Sequence, residues 1–524
     1  MRRRLSGVCL YPFLMASYPA LALLAANVEQ VGLQVVIRPL LLALLLCAVL
    51  YALLMAVLRR GETAALLTTL WLALFFSYGH VYYALRQVPL IGESLGRHRY
   101  LGVAWLVLAI AASAWIVRRR TWGQPNRLLN AVLAIAVALP LVQLVAFAVE
   151  GRILAARVEA GGSKLSAAGI LPEDQVLTPP ADQLLPDIYY IILDGYGRSD
   201  TLKDVYGYDN AEFREGLRRL GFVVAECAQS NYAQTDLSIA SSTNLLYLEP
   251  LGVASTEDST NRRPLSALVR SSAVRRSLEA LGYRTVAFDT GYSFINLQDA
   301  DLYLSPALGT GLSGFELLFL RSTAGLIALD SATLLPQLLA PGLNYPQEAH
   351  RARVLYAFDE LEGLGRTPGP KFVYAHIVSP HDPFVFGPGG EPVSAAAIPT
   401  AAGTEWELQA YSDQVRFISK RALSMLEALI AGSERPAVVL LQADHGPGWN
   451  SAAGRMGILS AYRFPGAEAM VTPGITPVNS FRVLFNGLFG TSFAMLPDIS
   501  YFSTYDAPFD FTMIPTSCPS QVTP

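Results

Sequence analysis

Lysine is almost missing from this chain: four residues against 35 arginines in 524. Charge of any kind is sparse, at 15% of residues, while hydrophobic residues reach 52% and the mean hydropathy is +0.35. Such a composition excludes a disordered chain or a nucleic-acid-coating protein and points to the membrane. The arginine bias fits a GC-rich genome better than a functional demand. Four cysteines are too few for a disulfide scaffold. Cys9 and Cys47 fall in apolar stretches. Cys227 and Cys518 are the two in the polar remainder, where an oxidising compartment would permit pairing, though spacing alone does not place their Cα atoms. Histidine occurs only six times, so each position carries weight. Internal repeats and low-complexity tracts are absent as well.

What is present divides sharply in two. Residues 1–150 hold 13 arginines, no lysine and four acidic residues, a net of +9; the rest is acidic, with a net of -12. The front half carries five apolar stretches, over roughly residues 8–27, 39–58, 64–85, 101–117 and 128–149. Each is long enough, or nearly so, to cross ~30 Å of hydrocarbon at 1.5 Å per residue. Arg2–Arg4, Arg59–Arg60, and Arg118–Arg120 with Arg127 alternate in side, which puts the N-terminus in the cytoplasm and residues 150–524 outside it. Arg86, Arg97 and Arg99 on the opposite side run against that rule. The expected organisation is a five-helix transmembrane domain over 1–150, a linker over 151–185 rich in Gly and Pro, and an extracytoplasmic domain over 186–524.

From Pro186 onward, short β-type runs alternate with helical ones, the pattern of an α/β domain with a largely parallel central sheet. Strands are predicted at 187–193, 284–288, 371–377 and 437–442, with helices near 210–220, 264–281, 350–363 and 405–431. The apolar segment from Gly314 to Ala340 is open to two readings, a helix pair in the soluble core or an element seated on the bilayer, the first being favoured. Functional groups of parallel sheets gather at the carboxyl ends of strands. Asp194 in Leu193-Asp194-Gly195 closes one strand. His376 ends another and leads into Ser379-Pro380-His381-Asp382-Pro383-Phe384. Asp444 and His445 close a third. A strand-end Asp-Gly together with a distant Asp-His-Gly makes a metal-binding pattern. Asn231 to Asn244 reads as a loop entering a helix near Thr235. A hydroxyl there serves either as a helix cap or as a nucleophile facing a phosphate held by free N–H groups.

In this order, strand-Asp-Gly, Thr at a helix start, His-x-Pro-Phe and Asp-His-Gly, the chain resembles the alkaline phosphatase/sulfatase superfamily. Within it, the chain looks most like the membrane-anchored branch of lipoteichoic acid synthases and lipid A phosphoethanolamine transferases. The motifs that carry the resemblance cover residues 186–248 and 371–447. The resemblance implies a five-helix membrane region followed by an alkaline-phosphatase-like domain. It implies one divalent metal ion, Zn or Mn, on Asp194, Thr235, Asp444 and His445, with Thr235 also the nucleophile. It places His381 at the phosphate or leaving group; His376 near a strand end, and Asn231 and Gln234 beside Thr235, are further candidates for substrate contact. The implied activity moves a phospho-head group from a membrane phospholipid donor to an envelope glycan or lipid acceptor through a phospho-threonine, at the bacterial cytoplasmic membrane and with no nucleic acid involved. Hydrolysis at the membrane, or a non-catalytic role in envelope assembly, are the alternatives. Two departures stand out. The first ligand is Asp where those transferases carry Glu, and Thr235-Asp236-Leu237-Ser238-Ile239 lacks the Cys/Ser-x-Pro-x-Arg from which sulfatases make formylglycine.

Overall fold

A computed structural model describes residues 9–28, 31–88, 96–119, 125–167, 177–178, 184–249, 260–307, 312–330, 346–393, 405–448 and 452–516. They form two compact units.

The first unit is helical: α1 (Tyr11–Ala26), α2 (Ile37–Leu58), α3 (Gly61–Arg86), α4 (His98–Arg118) and the apolar part of α5 (Pro125–Ala167). Four of these stretches are long and apolar enough to span a bilayer, whereas α1 has only 16 residues, about 24 Å of helix. Side chains such as Leu41, Leu45, Ile110 and Val142 stand exposed, a surface suited to lipid tails and not to water. The linker expected from residue 151 is helical as far as Ala167.

Two further helices, Gly314–Ser322 and Gly325–Asp330, join this unit and not the core of the sheet, so the favoured sequence reading of that segment is corrected. Phe315 and Phe319 pack with Leu72 and Phe76 of α3, and Leu326 packs with Tyr78, Tyr82 and Leu101. Ala324 N–H donates to the Phe75 carbonyl at 2.8 Å. Arg38 is paired with Glu316, which also closes a capping box with Ser313. The contact is close because α3 offers Gly79, where a Cβ would stand 2.0 Å from the Arg321 carbonyl oxygen. The expected continuation over 334–340 lies outside the described residues.

The second unit is built on a seven-stranded sheet of order β2-β7-β6-β1-β5-β3-β4. The strands are β1 (Asp187–Leu193), β2 (Val223–Val224), β3 (Arg284–Phe288), β4 (Leu302–Leu304), β5 (Lys371–Ile377), β6 (Ala437–Gln442) and β7 (Ser460–Arg463); β8 (Ser500–Phe502) and β9 (Thr512–Ile514) pair separately. From β6 through β4 the pairing is parallel, and β7 runs antiparallel to β6. Every residue of β1, β5 and β6 is buried, as continuous apolar strands covered on both faces must be. Their registers, Ile192 opposite both His376 and Gln442, bring Asp194, His376 and Asp444 to one edge of the sheet.

Candidate metal centre

Asp194 is the hub of that edge. The chain turns immediately after β1 at Gly195, whose φ of +72° favours glycine and where a Cβ would press on His381 at 3.4 Å. The His381 N–H donates to the Asp194 carbonyl at 2.9 Å, so the two loops are fixed to each other through their backbones. The Gly195 N–H donates to Asp444 Oδ1 at 3.2 Å, which orients the second carboxylate.

The other oxygens of these two carboxylates, Asp194 Oδ1 and Asp444 Oδ2, are buried and have no hydrogen-bond donor. They lie 3.5 and 3.4 Å from His445 Nε2. The His445 Nδ1–H donates to the Gly446 carbonyl at 3.0 Å, so Nε2 presents a lone pair. Burial, followed by the charge of Arg455, pushes the His445 imidazole down to about 4, which keeps it neutral. Thr235 Oγ1 completes the group, 3.2 Å from the same Nε2. Two orphaned carboxylate oxygens converging without a cation would be costly. Two acidic oxygens, one imidazole nitrogen and one hydroxyl form a donor set that fits one divalent metal, Zn²⁺ or Mn²⁺, without choosing between them. Two overlapping trios, Asp194/His381/His445 and Asp194/His376/Asp444, also place ligand atoms within 4.8 Å of one another. Asp194 is common to both.

Thr235 is the first residue of the helix Thr235–Asn244, and Gln234 occupies the cap position without a side-chain capping bond. The Thr235 hydroxyl is thus turned toward His445 and not used as a cap. It is also the one residue from 231 to 240 that is not fully buried.

His381 keeps 30% of its side chain exposed and sits 3.0 Å from an Asp382 carboxylate oxygen. Burial opposes its charge, but Asp194 and Asp382 outweigh that and push it up to about 10. Asp194 answers in the opposite sense. Burial would raise its carboxyl, yet the charge of His381 and then the hydrogen bond from His376 hold it well below the usual carboxylate range.

The three residues expected to contact substrate each have hydrogen-bond partners within the protein. His376 is fully buried and its Nε2 lies 3.0 Å from Asp194 Oδ2. Asn231 accepts from Val478 N–H and donates to the Ile499 carbonyl. Gln234 donates to Ser503 and Thr504 and accepts from Arg262. Polar residues in a buried loop must satisfy the backbone first.

Arg455 escaped sequence reading because no motif marks it. It is buried and donates to the Ala233 carbonyl at 2.8 Å and the Gly446 carbonyl at 3.2 Å, so it staples the Thr235 loop to the His445 loop. Gln414, on a long helix (Glu405–Gly432), donates to the Pro380 and His381 carbonyls. Tyr292 and Tyr505 are exposed by 37% and 53%. Burial comes first for Tyr292, and the charges of Asp194 and Asp382 then help push it up to about 12, which marks it as bordering the site.

No family model and no curated protein matches the chain. Solved structures that resemble it include the full-length lipooligosaccharide phosphoethanolamine transferase A (EptA) of Neisseria meningitidis, 14% identical, covering 92% of this chain and 94% of that one at a TM-score of 0.37. The C-terminal periplasmic domain of EptC from Escherichia coli is 11% identical, covering 63% and 94% at 0.37. BT1596, a 2-O GAG sulfatase, is 14% identical, covering 61% and 77% at 0.39. The neighbours are thus phosphoethanolamine transferases and sulfatases. At these scores the likeness assigns no residue role and no activity to this chain.

Proposed function

We propose that the protein is a metal-dependent transferase that moves a phospho-head group from a membrane phospholipid to an envelope glycan or lipid acceptor through a phospho-threonine at Thr235. The observation that carries this reading is the half-exposed Thr235 hydroxyl at a helix N-terminus, aimed at His445 beside two orphaned carboxylate oxygens. Bound there, a divalent cation would favour the threonine alkoxide and offset charge building on the phosphoryl oxygens.

With its proton already released to solvent, Thr235 Oγ1 attacks phosphorus as the alkoxide, and the bond from phosphorus to the diacylglycerol oxygen breaks. His381, paired with the Asp382 carboxylate, gives its proton to that departing oxygen. In the second half the neutral His381 takes the proton of the acceptor hydroxyl as it attacks phosphorus, and Thr235 Oγ1 leaves. The N–H groups of the first helical turn would receive the phosphoryl oxygens. Apolar spans ahead of the site suit a donor drawn from the bilayer. The disulfide at Cys227 and the arginine pattern support a catalytic domain outside the cytoplasm; Cys518 lies outside the described residues.

Intact mass of the purified protein after incubation with lipid extract tests this. A gain on Thr235, absent in Thr235→Ala, is expected and names the transferred group. With labelled phosphatidylglycerol or phosphatidylethanolamine in native membranes, label should reach an acceptor. Label found only as free head-group phosphate makes the enzyme a hydrolase, and no mass gain overturns the covalent route.

A further inference from the structure

Beside the centre lie two buried histidines that the proposed chemistry does not touch. His376 is the next-to-last residue of β5, and His350 comes from a helix (Pro346–Leu364). They are 2% and 5% exposed. His376 Nδ1 and His350 Nε2 both lack any hydrogen-bond partner, so the two rings do not bond each other. Two orphaned imidazole nitrogens in one region are a standing expense to the fold unless something polar reaches both. Both side chains line the same cavity, about 10 Å³ in volume, with Asp289, Thr290 and Arg353 as its other polar walls. That volume holds one water, and the polar walls offer the two or more partners an ordered water needs.

We propose that one ordered water bridges His350 Nε2 and His376 Nδ1, and that through it His350 is a positioning residue for the metal centre. The chain of contacts is short. His376 Nε2 bonds Asp194 Oδ2 at 3.0 Å, and this leaves Asp194 Oδ1 free to face His445. A His376 ring anchored at both nitrogens cannot swing, and the ligand oxygen is held in line; outer partners of this kind set metal affinity by about 10–100-fold. The inference rests on the reading of Asp194 as a metal ligand.

The test is Zn²⁺ affinity of the full chain in detergent, measured by chelator competition, with two substitutions that differ in which ring nitrogen they imitate. His350→Gln places its amide near the Nε2 position and should bind Zn²⁺ within about threefold of wild type. His350→Asn reaches only the Nδ1 position and should lose about tenfold or more. A merely structural histidine would treat the two alike, or favour Asn. Equal affinities for Gln and Asn, whether both high or both low, overturn the proposal. Should His350→Asn not fold, His350→Leu takes its place with the same expected loss. Wild-type protein that binds no Zn²⁺ overturns this and the metal reading together. Wild type that binds while His350→Asn binds equally well overturns this alone.

Discussion

His381 holds its proton far above the range of a free imidazole, pushed up to about 10 by Asp194 and Asp382, and that has a consequence for stability. In the unfolded chain the group titrates near about 6.5. Between those values the folded state binds more protons than the unfolded one, so stability falls as pH rises. The contribution is whole below the unfolded value and gone above about 10. Melting of metal-free protein should therefore show a gap between wild type and His381→Gln that is widest at pH 6 and closes toward pH 10. A gap that widens with pH would reverse the assignment. The same substitution should slow turnover by about 10²–10⁴, the usual contribution of a positioned acid. At this scale the sequence was informative where residue type and strand end coincide. Asp194, Asp444 and His445 follow buried strands, and the structure gathers them with Thr235. It was silent on Arg455, whose role depends on distances across the fold and not on any local pattern. It does not tell a polar loop that faces substrate from one that serves its own backbone, as at Asn231 and Gln234.

Elements were more legible than contacts. The runs at 187–193, 284–288, 371–377 and 437–442 are strands with those bounds, because buried parallel strands write themselves as unbroken apolar runs. The β7 and β2 edge was not foreseen, being short and antiparallel. The helix Gly314–Ser322 was legible as a helix, but its apolar face gave no hint of the partner it covers. That partner is α3, and the fit hangs on Gly79. Gly79→Val should drive the helix off the Arg321 carbonyl and destabilise the packing by about 1–3 kcal/mol, the range for overfilling a tight contact. A lowered melting temperature of the detergent-solubilised protein, with faster protease cleavage near residues 312–330, is the expected readout. An unchanged melting curve would mean that the two helices do not lie so close.

Across the whole molecule, the orientation we propose, N-terminus inside and residues 150–524 outside, rests on the arginines. With the N-terminus inside and the chain ending outside, a C-terminal alkaline phosphatase reporter should be active and a C-terminal green fluorescent protein dark. The opposite result would remove the lipid donor from reach of the site and with it the transfer reading. The shortness of α1 makes this experiment informative, since a first helix that only rests in the interface would change the parity of crossings.

The excursion of the chain through residues 312–330 into the helical unit bears on how such a protein could ever be shed from a cell. A protease that cuts once after α5 severs the obvious stalk but releases nothing. The catalytic part stays moored by a second root, Phe315, Phe319 and Leu326 sunk among α3 and its neighbours. Freeing it takes cuts on both sides of that root. By the same logic, a secreted version made by trimming only residues 1–150 would bring the greasy root with it, bare, and would be expected to clump or cling to detergent until that piece too is excised.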